Sequence, residues 1–345
     1  MSPSRFRRLL SLFPAFAATA VCLALVATAP LAAQPQASPA PLRFGILPLG
    51  GAFESRNDWV PVLADLGQFL GRPVHMLSVN SYEALEQAIQ RDEVDMAFLS
   101  GRMALDVVVQ RRMRVVAQVV RNDGLPGYRA LLLARRSGSP DTLEMLLATP
   151  ERWRLARGDK RSVSGFVVPQ LQLFMPHRIA METQFRSEVV GTHQATALAV
   201  ANGEADVATN NTADFARFTL QFPAEAGSLK TLWQSELIPH AQIVVRRDYP
   251  PELQRQVQQF LVGYARRPGP GGDAERARLK TLHDLAGFVA ADDASLLPSA
   301  RLAYQLARQS AMEAQWVSEA AKAARLERIE QTYAAQRTLL EQAGR

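Results

Sequence analysis

Cysteine is all but missing: of 345 residues, only Cys22 carries a thiol. It lies inside an apolar N-terminal stretch, so a product cleaved behind that stretch holds no cysteine. Disulfides, thiolate metal sites and a cysteine nucleophile are excluded from such a product together. Histidine is scarce, five in all, and no His/Asp/Glu cluster has metal-ligand spacing. No metal, cofactor or catalytic residue is therefore expected, and the chain does not read as an enzyme. Charge of one sign is also weak. The net charge is +6, and the arginine-rich pieces around 111–114 and 152–161 are interrupted by apolar residues. Nucleic-acid binders concentrate their basic residues and pair them with aromatic motifs, so nucleic acid is not an expected partner. Past the N-terminal stretch, no apolar run is long enough to span a bilayer.

What is present starts at the N-terminus. Arg5, Arg7 and Arg8 precede apolar residues 9–26, and small residues follow as far as Leu31-Ala32-Ala33. A charged start, a short apolar centre and a small-residue end describe a secretory signal peptide over 1–33. A membrane anchor is the alternative, but it needs about 20 uninterrupted apolar residues, and Pro14 breaks the run. Val21 stands before Cys22 where a lipoprotein signal requires a small residue, so lipidation is not expected. Residues 34–41, rich in Pro, Ala and Gln, read as a flexible linker. The expected product is soluble and exported, periplasmic in a cell with two membranes.

Beyond the linker, short apolar runs alternate with helical periodicities. Strands are expected at 43–47, 74–79, 94–98, 115–120, 130–134, 153–156, 206–209, 231–234 and 242–245. Helices are expected around 59–70, over 82–90, over 164–174 and over 193–201. Such alternation predicts an α/β protein with largely parallel sheets. Beyond Pro250 the chain reads as helical to its end, broken by a loop at 268–272. The stretch 299–343 is built from good helix formers. It suits a helix packed on its own domain and a dimerising tail equally well.

Ser162-Val163-Ser164-Gly165 stands immediately before an apolar helical run. Serine is a favoured N-cap, and the first N–H groups of a helix have no intrahelical acceptor. With the helix dipole they form a receptor for phosphate-like anions. A serine that caps its helix and binds nothing accounts for the same local pattern, and these residues alone leave both readings open.

Several segments, in order, resemble the phosphonate-binding proteins of ABC transporters, the PhnD-like family. They are Asp123-Gly124-Leu125-Pro126-Gly127-Tyr128; Gly158-Asp159 through Ser164-Gly165-Phe166-Val167-Val168-Pro169; Ala197 to Asn202; and Asp206 to Thr212. Leu237-Ile238-Pro239 and Leu296-Leu297-Pro298 add to them, and the similarity runs from Leu42 to about Met312. The resemblance implies a two-lobed type II periplasmic binding protein with a ligand cleft between the lobes and a helical C-terminal tail. Residues 42–124 plus 240–345 are expected to form lobe 1, the tail starting near 299, and residues 125–239 to form lobe 2. The implied ligand-binding residues are Tyr82, Tyr128, Ser162, Val163, Ser164 and His193. A phenol donates one hydrogen bond to an anion, and a histidine donates while also supplying charge when protonated.

Three positions depart from the family pattern. Val163 replaces the middle residue of a Ser-Thr-Ser triplet, which removes a hydroxyl donor. Ala213 and Ala241 stand where relatives that bind aminoalkylphosphonates carry carboxylates against the ammonium. Asp214 is one residue further along a helix, a rotation of about 100°, and is expected to face elsewhere. The expected ligand is therefore a small phosphonate-, phosphite- or phosphate-like anion without an amine. The implied partner is an ABC permease in the inner membrane, and a homodimer through the C-terminal helix is a further expectation. The rival functional reading is a sensor module that reports the same oxyanion to a signalling protein.

Overall fold

The computed structural model describes residues 40–343, apart from 48–51, 78, 139 and 283. The signal peptide expected over 1–33, and most of the linker, lie outside the described residues. From Pro39 onward the chain forms one compact unit.

The first stretch alternates β1 (Leu42–Ile46), α1 (Ala52–Leu70), β2 (Val74–Leu77), α2 (Tyr82–Gln90), β3 (Met96–Leu99), α3 (Gly101–Val109) and β4 (Met113–Arg121). On α1, Trp59, Val62, Leu63 and Leu66 fall three or four residues apart and are all buried, the spacing of one helical face. The chain continues through β5 (Gly127–Arg135), α4 (Leu143–Ala148), β6 (Arg154–Arg157), a helical run over 163–177, β7 (Ser187–Val190), α5 (His193–Ala201), β8 (Val207–Asn211), α6 (Thr212–Gln221), α7 (Pro223–Gly227) and β9 (Leu229–Pro239). It returns with β10 (Gln242–Arg246), α8 (Pro251–Gly263), α9 (Pro270–Thr281), β11 (Leu285–Ala290), α10 (Leu297–Glu313) and α11 (Glu319–Ala343).

Two sheets result. The first has the order β11-β4-β10-β3-β1-β2 and the second β7-β6-β8-β5-β9. The expectation of largely parallel sheets is corrected here. Only the pairings of β1 with β2 and β3, and of β6 with β7 and β8, are parallel. The remaining pairings are antiparallel. The cause is the double crossing: β4 leads out of the first sheet into β5 of the second, and β9 leads back into β10. The strands that arrive by these crossings, β5 and β10, run against the βαβ strands of the sheet they enter, whereas β4 and β9 run with them.

A second correction concerns the region beyond Pro250, which is not helical throughout. Leu285–Ala290 adds an edge strand beside β4, with Leu285 and Phe288 buried. Six residues between helix-rich flanks give no periodicity long enough to be recognised, and the strand exists because β4 offers an edge. Gly271 and Gly272, expected in a loop, lie in the first turn of α9 behind Pro270, a residue suited to a helix start. Helix α3, absent from the expectations, opens on glycine and ends in three valines, poor helix formers. Burial of Met103, Ala104, Val107 and Val108 holds it in place. Its Gly101 lies where a Cβ would fall 2.2 Å from Ser299 Oγ on α10, so the two helices meet at a glycine.

The tail folds back on its own chain. Tyr304 of α10 stacks on Tyr333 of α11 with ring centroids 4.4 Å apart, and its hydroxyl donates to Glu330 Oε1 at 2.5 Å. Leu340 near the end of α11 is fully buried. Helix α10 touches both halves of the molecule. Ala300 belongs to the core of the first sheet, while Leu302 and Leu306 pack on the core of the second.

Candidate functional site

The two crossings and the facing helix starts enclose a cleft of about 650 Å³, its mouth included. Tyr82, Tyr128, Ser162, Val163, Ser164 and His193 all line it. They come from distant parts of the chain. Tyr82 is the first residue of α2, behind the N-cap Ser81, whose Oγ accepts from Ala84 N at 3.0 Å. His193 opens α5 in the same way behind Thr192. Tyr128 sits at the start of β5, just past the first crossing.

The centre of the cleft is the start of the helical run at 163. Ser162 caps it, its Oγ accepting from Gly165 N at 3.0 Å. Phe166 N and Val167 N both reach the Ser162 carbonyl at 3.1 Å. The second of these bonds spans five residues, so the first turn is wider than an α-helical turn. A tight backbone contact fixes the segment. A Cβ on Gly165 would lie 2.7 Å from Gly158 Cα, and one on Gly158 would lie 2.8 Å from Gly165 Cα. Thr209 Oγ1 donates to the Gly165 carbonyl at 2.8 Å and accepts from Gly158 N at 3.2 Å. The N–H groups of Val163 and Ser164, first in their helix, have no intrahelical acceptor, and both residues face the cleft.

Around this start the polar side chains form a connected set. Ser164 Oγ lies 3.2 Å from His193 Nε2 and accepts from Asn211 Nδ2 at 3.3 Å. Tyr82 faces Ser162, and Tyr128 faces Ser164. Burial pushes both phenols well above their ordinary range, the serine contacts offsetting part of the rise. Both therefore remain protonated donors. Burial also lowers the His193 pKa, with Asp214 opposing, so this ring is neutral near pH 7.

Asp214 corrects an expectation. It lines the cleft instead of facing away. Asn211 caps α6 and accepts from Asp214 N at 2.8 Å, while its Nδ2 donates to Asp214 Oδ2 at 2.6 Å. This reciprocal contact between the N-cap and the third residue of the helix turns the carboxylate back over the helix start to within 3.9 Å of His193 Nε2. The Asn-Thr-Ala-Asp spacing held that signal. Asn211 lies within the family-like segment Asp206 to Thr212 but outside the six implied ligand-binding residues. Val163 packs with Ala130, Val168 and Ile238, which accounts for an apolar side chain at this place in the triplet.

The cleft is also lined by Trp59, Phe98, Val119, Arg121, Leu285, His240 and both alanines, Ala213 and Ala241. His240 stacks on Tyr128, with ring centroids 6.1 Å apart and an angle of 17°. Its Nε2 lies 3.0 Å from the Leu125 carbonyl, so it links the two crossings. Two ion pairs span the cleft. Arg161, beside the Ser162 segment, meets Glu86 of α2 at 2.7 Å, and Arg217 of α6 meets Asp58 of α1 at 2.5 Å.

Among the described residues no helix is long and apolar enough to cross a membrane, and no group of three or more His, Cys, Asp or Glu side chains stands ready for a metal ion. Two mixed sheets joined by two crossings, with a helix start in the cleft between them, define a type II periplasmic binding protein. Residues 44–296 match the family model for the periplasmic substrate-binding protein of phosphonate ABC transporters. The chain belongs to that family, whose members bind substrate for transport. It is 32% identical over 262 residues to the phosphonates-binding periplasmic protein of Escherichia coli K12, covering 76% of this chain and 75% of that one. It is 25% identical over 244 residues to the phosphate-import protein PhnD of Mycolicibacterium smegmatis, covering 64% of this chain and 73% of that one. The crystal structure of a binding-protein component of an ABC phosphonate transporter from Pseudomonas aeruginosa superposes with a TM-score of 0.80 at 29% identity, over 88% of this chain and 98% of that one.

Proposed function

We propose that this chain, exported by the signal peptide over 1–33, captures a small phosphorus oxyanion in the periplasm and hands it to an inner-membrane ABC permease. The observation that carries this reading is the helix start at 163, where Ser162, Ser164, Tyr82, Tyr128 and His193 converge in one cleft. In this reading the backbone N–H groups of Val163 and Ser164, the serine hydroxyls and the two phenols donate to the ligand's oxygens. His193 takes a proton when the ligand is dianionic. Neutral donors in an enclosed cleft hold an anion without the desolvation cost of a buried permanent counter-charge.

The molecule divides, on this reading, into lobe 1 (42–124 plus 240–345) and lobe 2 (125–239), which close about the two crossings. Gly124, at a φ of +67°, gives the first crossing a conformation that other residues adopt with strain. The pairs Arg161–Glu86 and Arg217–Asp58 form when the lobes meet. The ligand carries no ammonium, because Ala213 and Ala241 supply no carboxylate, and Asp214 is already held by Asn211 beside the oxyanion end.

Calorimetry and thermal unfolding of the purified chain with methylphosphonate, phosphite, phosphate, sulfate and 2-aminoethylphosphonate test this. A ligand at 100 times its Kd stabilises by about 2.7 kcal/mol, roughly 4 °C for a chain of this size. The expected outcome is such a shift with one or more of the first three. No shift with any phosphorus oxyanion, or a strong preference for 2-aminoethylphosphonate, overturns the reading.

A further inference from the structure

Arg121 stands at the end of β4 and lines the cleft together with Val119, which shares its strand face by the two-residue period of a strand. Its charge acts on the neighbouring His240 ring, lowering that ring's pKa further after burial has done most of it. No ion pair or hydrogen bond joins the Arg121 guanidinium to any described residue. The acid closest in sequence, Asp123, instead accepts from Leu125 N at 3.0 Å. A half-buried cation not directly paired with any carboxylate among the described residues thus lines the cleft beside Val119, Leu285, Ala241 and His240, with Asp123 near enough to act on the same His240 ring. The cleft's carboxylate, Asp214, lies at the oxyanion end and is held by Asn211.

We propose that this wall receives a second, anionic group of the ligand, so that the preferred substrate class is a carboxyalkylphosphonate. The proposal rests on the oxyanion grip at Ser162–Gly165. The phosphonate end enters the helix start, and the remote carboxylate pairs with Arg121, whose planar fork matches a carboxylate through two parallel N–H···O bonds. An ammonium at the same place meets a positive charge and no carboxylate. A carboxylate directed towards Asp214 is repelled. The charge preference of the remote end is therefore set by Arg121 together with the alanines at 213 and 241.

Calorimetry with 3-phosphonopropionate, its neutral amide 3-phosphonopropionamide, 3-aminopropylphosphonate and methylphosphonate tests the assignment, on the wild-type chain and on Arg121→Gln. The acid is expected to bind at least about tenfold more tightly than the amide, the difference between a charge-assisted pair and a neutral one. The amine is expected to be weakest. In Arg121→Gln the acid-to-amide ratio is expected to fall to about 1–2, and Arg121→Lys to restore part of it. An acid no tighter than its amide, or an Arg121→Gln effect equal on both, overturns the proposal while leaving the oxyanion grip standing if methylphosphonate binds. Failure of every phosphonate to bind removes the oxyanion grip and this proposal with it.

Discussion

The ion pair between Arg217 on α6 and Asp58 on α1 offers a direct handle on closure. Its partners are only 18% and 12% exposed and lie 2.5 Å apart, joining an element beside the second sheet to one beside the first. Asp58→Asn removes the charge and keeps the shape. Exposed pairs contribute about 0.2–1 kcal/mol, and breaking a fully buried one costs about 3–5 kcal/mol. This intermediate pair falls near 1–3 kcal/mol. If that energy belongs to the closed form alone, the mutation moves the open–closed balance by the same amount, and ligand affinity drops roughly 5- to 150-fold. Calorimetry with whichever phosphorus oxyanion binds wild type measures the drop, and small-angle scattering of the ligand-free chain measures the expansion. Asp248→Asn is the matched control, since Asp248 pairs with Arg246 on one side only. Equal affinities for wild type and Asp58→Asn, or an equal loss in the control, refutes the assignment of this pair to closure.

Three further outcomes follow from the site. Gly165→Ala places a Cβ 2.7 Å from Gly158 Cα. It is expected to lower stability by about 1–3 kcal/mol, read by denaturant unfolding, and to weaken binding by displacing the helix start. Val163→Thr restores a hydroxyl at the cleft, and a gain in affinity of up to about fivefold is expected if that hydroxyl reaches the ligand, worth about 1 kcal/mol. Calorimetry showing a loss means that packing against Val168 and Ile238 outweighs it. His193, held below its ordinary 6.5 by burial, stays neutral in the folded chain where the unfolded chain already protonates. Its effect on stability is therefore absent above about pH 6.5, and stability falls as the pH drops from there through the folded value. A bound dianion opposes the shift, so binding at a pH above the ligand's own second ionisation takes up a proton at His193. Calorimetric enthalpies that differ between buffers of different ionisation heat report that uptake, and His193→Gln abolishes it.

Local signals made much of the fold readable in advance. Helices α2 and α5 were expected at 82–90 and 193–201 and occupy those spans, α2 because Ser81 caps a periodic apolar face and α5 because Thr192 caps an alanine-rich run. The strands of the βαβ stretches showed as short apolar runs. Features that depend on a distant partner did not show. β11 forms because β4 has a free edge, α3 because its valines are buried, and the antiparallel pairings because the chain crosses twice. The six residues assigned to the site line a single cleft, but the local sequence hid what surrounds them. The helical rotation alone turns Asp214 away from the site, and the Asn211 cap turns it back. Arg121 gave no signal at all, since only the neighbouring wall gives a strand-end arginine its meaning.

The central claim is that the helix start at Ser162–Gly165 grips an oxyanion, and Ser164→Ala tests it most directly. Ser164 Oγ meets both His193 and Asn211, and a hydrogen bond to a charged group contributes about 1.5–3 kcal/mol. Calorimetry is predicted to show every phosphorus oxyanion that binds wild type losing roughly 10- to 150-fold in affinity, with the ligand-free variant destabilised by no more than about 1–3 kcal/mol and still folded. Affinity within twofold of wild type for those ligands contradicts the account.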